Sequence, residues 1–520
     1  MTHWTPRAVI AAVAALLLLG GCSALTIEPP PQPADAAAAL GGTVNVPAEW
    51  TAGSAGARGS DATLTDPWWA TFGDPRLSCL IEGGLSGSFD LGAAAARLGA
   101  AEARARIAGA ALTPRVDVGL DGARTRRNFI GFPIPGSDRG VLTSLNTTWG
   151  VSLNLSWEAD LWGRIRSGRS AARGDLDAAR ADLAGAALSL SGQTAKAYFA
   201  VLEAREQTAL AEATLENRRS SAERVLRRYE TGLRTALDLR LARAEVASAE
   251  SVLEARRQAL DALERQLQVL VGRYPDRWLD PDGSEDGAAD GLPDTLPSYF
   301  ADGPEPVPAG LPAEIVARRP DLAAAEARLA AAGFRVAEAR AALYPSLRLT
   351  GSAGRSSEQI EDLLDGDFSV WSIAGGLLQP LFHGGQLRAN VDLSRASFEE
   401  ATALYAGSVL RAFREVETTL AAEGFLADRA AALARAAEES RRAQKLAEER
   451  YLAGLTDFLG VLESQRRSFD AESQLLQVTR QRLDARVDLV LALGGGYRSE
   501  AAESAPETTA DTTSTHRGPS

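Results

Sequence analysis

Few residues in this 520-residue chain are of the types that do chemistry, and their positions narrow what that chemistry is. There are two cysteines, Cys22 and Cys79, and three histidines, His3, His383 and His516. Cys22 closes Leu19-Gly20-Gly21-Cys22 behind an apolar run from Ala8 to Leu19, with His3 and Arg7 ahead of it. That is the pattern of a secretory leader ending in a lipoprotein cleavage box, where the thiol takes a diacylglycerol and the freed amine a further acyl chain. Cys22 is therefore the expected lipid attachment site, and an internal disulfide is not expected. His383 is the one histidine outside the leader and the polar C-terminal stretch. One histidine builds neither a zinc site nor, without a G-x-S-x-G or similar nucleophile, a triad. No catalytic residue, metal site or cofactor is expected.

Two further motifs stand out by repetition. Arg228-Tyr229-x-x-Gly232-Leu233 returns as Arg450-Tyr451-x-x-Gly454-Leu455, followed by Asp457 and Glu463. Each motif is expected to turn one long helix into the next, with the glycine capping the first.

The net charge of −13 argues against a nucleic-acid partner, since no basic stripe stands ready to neutralise phosphates. The hydrophobic content of 45% suits a folded chain. After Cys22 no stretch of 18 apolar residues occurs, so no transmembrane helix is expected.

The elements that position these residues are written twice. Asp90-Leu91 through Arg97-Leu98 recurs as Asp321-Leu322 through Arg328-Leu329, and a proline, Pro114 or Pro345, stands 24 residues after each Asp. Trp149 matches Trp371, Gly163-Arg164-Ile165-Arg166 matches Gly385-Gln386-Leu387-Arg388, and the tyrosine motifs follow, all at an offset of 222 residues. Each copy reads as helix, two strands, then two very long helices. Val116, Val118 and Leu120 alternate with Asp117, Gly119 and Asp121, the period of a half-buried strand, and Val151 through Trp157 alternate likewise. From Asp175 to Glu230 no proline interrupts, which allows about 80 Å of helix. Leu239, Val246, Leu253, Leu260 and Leu267 fall seven apart, as do Leu462, Phe469, Leu476, Leu483 and Val490, so these helices pack lengthwise on helices.

The expected organisation is a signal peptide (1–21), a lipidated N-terminal tether (22–67), a first repeat (68–272), a linker (273–310), a second repeat (311–497) and a disordered tail (498–520). The fold class is mainly α with a small transmembrane β part: four strands, of about eight to ten residues each, plus long helices. Four strands cannot close a barrel, and an open edge is not tolerated in lipid, so spanning requires several chains. Two copies would give eight strands and a filled interior; three would give twelve and a lumen.

The chain resembles the TolC-like outer-membrane efflux protein family, in particular its lipidated OprM-like or NodT-like branch. The motifs that carry the likeness run from Trp68 to Tyr497 and include WWATFGDPRL (68–77), SWEADLWGRIR (156–166), GLPAEIVARRPDLAAAEARL (310–329), GLLQPLFHGGQLRA (376–389) and RYLAGLTDFLGVLESQR (450–466). The resemblance implies a homotrimer, with a twelve-stranded barrel in the outer-membrane lipid continued by a twelve-helix barrel in the periplasm. It implies docking to a periplasmic adaptor and an inner-membrane transporter of the resistance-nodulation-division type, with no reaction performed. It also places the turns at Tyr229, Gly232, Leu233 and at Tyr451, Gly454, Leu455 at the periplasmic tip where the adaptor docks, with Asp457 and Glu463 as candidate pore gate. The exit duct of a protein or peptide secretion system, and a poreless lipoprotein scaffold, are the other readings.

Overall fold

The computed structural model describes residues 50–52, 67–129, 142–233, 235–275, 297, 299–300 and 318–497. The leader, Cys22, most of the tether and linker, and the tail lie outside the described residues.

The element order repeats as the sequence does. Helices α1 (Pro75–Gly87) and α2 (Phe89–Ala110) lead into β1 (Arg115–Phe129) and β2 (Leu142–Ala159), then α3 (Arg164–Glu230) and α4 (Ala236–Leu270). The second copy runs α5 (Pro320–Ala341), β3 (Ser346–Ser357), β4 (Ser369–Leu378), α6 (Gln386–Leu452) and α7 (Phe458–Ala492). The strands hold 15, 18, 12 and 10 residues, so three of the four exceed the expected eight to ten. Alternating polar residues such as Thr125 and Arg127 extend the ladder of β1 past its apolar core. Helices α3 and α6 span 67 residues each, about 100 Å, because α3 starts at Arg164, ahead of Asp175. Their partners α4 and α7 stop at 35 residues each. No helix of the described residues is long and apolar enough to cross a membrane.

The chain divides into two compact units, one built from residues within 99–177 and 326–403 and the other from within 40–98, 178–325 and 404–520. In the first, the strands form one antiparallel sheet in the order β1-β2-β3-β4. Register sorts the side chains onto two faces. Val116, Leu155, Gly351 and Ile373 share one row, Val118, Leu153, Ala353 and Trp371 the next, and Trp157 pairs with Leu349 on the same face. The opposite face carries rows such as Asp117, Asn154, Ser352 and Ser372, where Ser352 Oγ and Ser372 Oγ meet at 2.8 Å. The apolar face is uncovered: Val118 is 76% exposed and Ile373 82%. Below the sheet, Trp162 stacks on Tyr344 at 5.2 Å and its Nε1 donates to the Pro345 carbonyl at 2.7 Å. The joint at Pro345 is thus braced by a tryptophan of the other copy, while ahead of Pro114 Trp157 Nε1 donates to the Leu112 carbonyl at 3.0 Å within its own copy. Gly163, Gly384 and Gly385 take positive φ where strands return to helices.

In the second unit Trp68, Leu77, Ile81, Tyr198, Phe199, Leu267 and Phe300 form the largest core cluster. Trp68 is core, with Nε1 donating to Ser191 Oγ at 3.2 Å. Asp74 caps α1 and also accepts from the hydroxyls of Tyr198 at 3.0 Å and Tyr299 at 2.7 Å; burial and the Asp74 charge push both phenols up. Arg319, buried, donates to Asp321, to Glu415 and to the Ala492 carbonyl. Burial pulls its guanidinium down, but the two carboxylates leave it above the ordinary range.

Candidate functional site

The two tyrosine motifs fold into the same turn, hydrogen bond for hydrogen bond. In the first, the amide of Gly232 donates to the Tyr229 carbonyl at 2.9 Å and that of Leu233 to the Arg228 carbonyl at 2.8 Å. In the second, Gly454 donates to Tyr451 at 3.0 Å and Leu455 to Arg450 at 2.9 Å. This pairing of bonds ends a helix at a left-handed residue. Gly232 and Gly454 have φ of 74° and 77°, and a Cβ on either would meet nothing within 4 Å, so backbone conformation alone calls for glycine.

The helices that follow are capped differently. Thr235 opens α4 with a capping box: its hydroxyl accepts from the Asp238 amide at 3.3 Å, and Asp238 accepts from the Thr235 amide at 3.4 Å. Asp457 opens α7 and accepts from the Gly460 amide at 3.0 Å. Asp457, expected to act as a gate carboxylate, is therefore engaged as a helix cap.

The turns come together. Val225, Leu239, Ala242, Tyr451, Phe458, Val461 and Leu462 form one core cluster that draws on both. Arg228 sets its guanidinium 5.3 Å above the Tyr451 ring and donates to the carbonyls of Tyr451, at 3.0 Å, and Leu452. It thus satisfies carbonyls that the end of α6 leaves open. Tyr451 is 4% exposed, whereas Tyr229 is 42% exposed, and Leu233 and Leu455 project at 71% and 69%. Exposed leucines from both copies thus stand at this end, among charged neighbours such as Glu230 and Arg450.

Glu463 lies on the second turn of α7 and accepts from Arg467 Nε at 2.8 Å and Arg466 Nη2 at 3.1 Å. Those two arginines hold its carboxyl below the usual carboxylate range. Within one chain the residue is a paired surface charge, and the ring expected of it requires further copies.

Sequence reasoning missed the polar layers behind the turns. Gln465 is buried and its Nε2 donates to Glu448 Oε1 at 2.9 Å and Asn217 Oδ1 at 3.2 Å. Gln207 and Ser473, both buried, exchange bonds of 3.0 and 2.8 Å. Arg218 pairs with Glu245 at 2.9 Å, and burial pulls its guanidinium down. The available signal was that Gln465 and Ser473 fall three and four residues after Leu462 and Phe469, on the flank of the apolar row of α7. His383 sits in the turn before α6, its carbonyl accepting from the Gln386 amide at 3.0 Å. No group of residues able to hold a metal ion occurs among the described residues.

Comparison with known proteins reaches most of the chain. The family model described as outer membrane efflux protein matches residues 80–273 and 311–495. The pyoverdine export outer membrane protein OpmQ of Pseudomonas putida is 36% identical over 455 residues, 87% of this chain and 93% of the relative. The toluene efflux pump outer membrane protein TtgF of Pseudomonas putida is 33% identical over 84% of this chain and 86% of its own. Among solved structures, the outer-membrane channel OprN superposes with a TM-score of 0.77 at 28% identity, covering 87% of this chain and 97% of that one. The proteins of this kind are channels rather than enzymes.

Proposed function

The chain belongs to the outer membrane efflux protein family and is an outer-membrane efflux channel, and from that premise we propose that it works as a homotrimer fed by a periplasmic adaptor and an inner-membrane transporter of the resistance-nodulation-division type. The observation that carries this reading is the sheet. It has two free edges, one apolar face and one polar face. One chain cannot hide those edges in lipid. Three copies joined edge to edge give twelve strands, enough to leave a lumen, with the apolar faces outward and the serine and asparagine rows lining the passage. From Ala159 to Trp149 the apolar face runs about 33 Å along β2, or roughly 25 Å of height once the strands tilt, the height of an outer-membrane apolar band. The exposed Phe89, Ile107, Leu393, Leu404 and Phe425 on the helices also call for cover by neighbouring copies.

The cargo is small organic molecules. Relatives named for pyoverdine and for toluene favour this over a secreted protein. Selection is left to the transporter, a reading with which relatives named for different cargoes agree. The paired turns at Tyr229, Gly232, Leu233 and Tyr451, Gly454, Leu455 form the periplasmic tip, where Leu233 and Leu455 offer an apolar surface to the adaptor and Glu463 with its arginines flanks the constriction. Cys22 carries the lipid. In-cell crosslinking followed by purification of this chain is expected to recover one adaptor and one transporter. Light scattering in detergent is expected to give three protomers per particle. A monomer that conducts ions in a planar bilayer would overturn the architecture.

A further inference from the structure

The two free edges of the sheet differ in charge at one end. Leu120, Val151, Arg355 and Ser369 share a row, and Ser369 is the first residue of β4. β1 does not stop at that row. It continues through Arg124, Arg126 and Arg127 to Phe129. These three arginines are exposed, and Arg124 and Arg126 form no ion pair among the described residues. At the other edge, β4 is entered through a turn of two 3-10 segments, Glu361–Leu364 and Gly366–Phe368. That turn carries Glu361, Asp362, Asp365 and Asp367. Asp365 and Asp362 spend part of their capacity locally, on the Asp367 amide at 3.2 Å and on Ser357 Oγ at 2.6 Å; Asp367 is exposed.

We propose that the arginine-bearing end of β1 latches onto the acidic turn ahead of β4 of a second copy of this chain, so that each protomer seam of the barrel is closed by ion pairs at its outer end. This rests on the trimeric reading above. A head-to-tail ring presents the β1 edge of each copy to the β4 edge of the next. The strand directions alternate along the sheet, so that β4 also runs antiparallel to a neighbouring β1. The faces match too. Val116, Val118 and Leu120 on one edge meet Trp371, Ile373 and Leu377 on the other, which limits any stagger between copies to an even number of residues. β1 outreaches β4 by nine residues beyond the shared row, so at small staggers its arginines lie past the start of the neighbouring β4. What lies beyond the start of β4 is the acidic turn. Each cluster spans several residues, and an arginine side chain reaches about two residue spacings, so opposite charges meet at more than one stagger. Opposite charges facing each other across strands stabilise the pairing, and like charges oppose it.

The test is a charge swap read as the temperature at which the purified trimer dissociates in detergent. Arg124→Glu with Arg126→Glu is expected to lower it by about 5 °C, as is Asp365→Arg with Asp367→Arg. All four substitutions together are expected to recover at least half of the loss. Arg124→Gln with Arg126→Gln, which removes charge without repulsion, is expected to cost less than the glutamate pair. Planar-bilayer conductance identifies the variants that still assemble a pore. A four-fold variant no better than the sum of the two doubles overturns the latch. So does a loss that depends on phosphorylated lipid in the sample and is indifferent to the acidic turn, which would assign the arginines to lipid headgroups. A wild-type particle with other than three copies fails the trimeric reading instead.

Discussion

Helix turns 228–233 and 450–455 close with the same hydrogen bonds and divide the labour of holding them. Both end a 67-residue helix on a left-handed glycine with the same two hydrogen bonds. The first turn contributes Arg228, which crosses to the carbonyls and ring of Tyr451. The second contributes the buried aromatic pair, Tyr451 and Phe458, with ring centroids 5.5 Å apart. Arg450, the counterpart of Arg228, is exposed, as is Tyr229, the counterpart of Tyr451. Both copies carry the Arg-Tyr pair, but the arginine of the first and the ring of the second are the ones that meet. The same holds further along: Leu241 occupies the place of Glu463, and Ala244 that of Arg466, so the charged triad belongs to the second copy alone. Equivalent positions hold equivalent backbones, and burial decides which copy carries which chemistry.

That asymmetry is open to measurement. Arg228→Ala should have the largest effect, costing about 1–2 kcal/mol through two charge-assisted hydrogen bonds and a cation-π contact, discounted for partial exposure. Hydrogen exchange at the amides of 451–456 should quicken, whereas Arg450→Ala leaves it as it is. Equal effects of the two would dissolve the comparison. Gly232→Ala and Gly454→Ala should each cost about 1 kcal/mol, and the same amount, because both enter left-handed φ with open space at Cβ. Unequal costs by thermal denaturation would mean that the two turns are not the same turn.

The caps come next. Thr235→Ala and Asp457→Ala should each cost about 1 kcal/mol as N-cap losses. Asp238→Ala should add a few tenths of a kcal/mol in the first copy, where the box is reciprocal. Gly460 has no such bond to lose. The smallest effect is electrical. Glu463→Gln leaves Arg466 and Arg467 without their carboxylate and should move the zero-current potential under a salt gradient toward anion selectivity. Its sign with pH follows from the depressed pKa. The carboxylate stays charged above and through the ordinary glutamate value of about 4.3, and its contribution is lost only as pH falls further. A difference between wild type and Glu463→Gln that already shrinks between pH 6 and 4.5 would contradict this.

Much of the fold was legible in the residues. The duplication, the four strands and the turn glycines follow from recurring Asp-Leu, Trp, Gly-Arg and Tyr-x-x-Gly-Leu motifs, because helix stops and strand alternation are local matters of backbone donors and side-chain period. Boundaries were less so. α3 begins eleven residues before Asp175, since Asp160 accepts from the amides of Ile165 and Arg166 and starts the helix there. Strand length was underestimated because polar alternation beyond Leu120 looks like loop in one dimension and like a ladder only beside β2.

What the sequence by itself determined is therefore the plan: two copies, their elements, the uncovered apolar face that demands partners, and the place of both turns. What only the tertiary structure decided is the employment of individual side chains. The resemblance makes Asp457 a candidate for the gate, and the fold adds the Gly460 amide as the partner it caps. Arg228 reads as one more charge on a helix until the end of α6 is brought to it. Arg319 reads as half of an Arg-Pro-Asp string until Glu415 and the Ala492 carbonyl close around it. The reason is common to all three. A helix or strand is chosen by neighbours in the chain, whereas a buried or half-buried polar group is committed by whichever partner the fold places within hydrogen-bond distance.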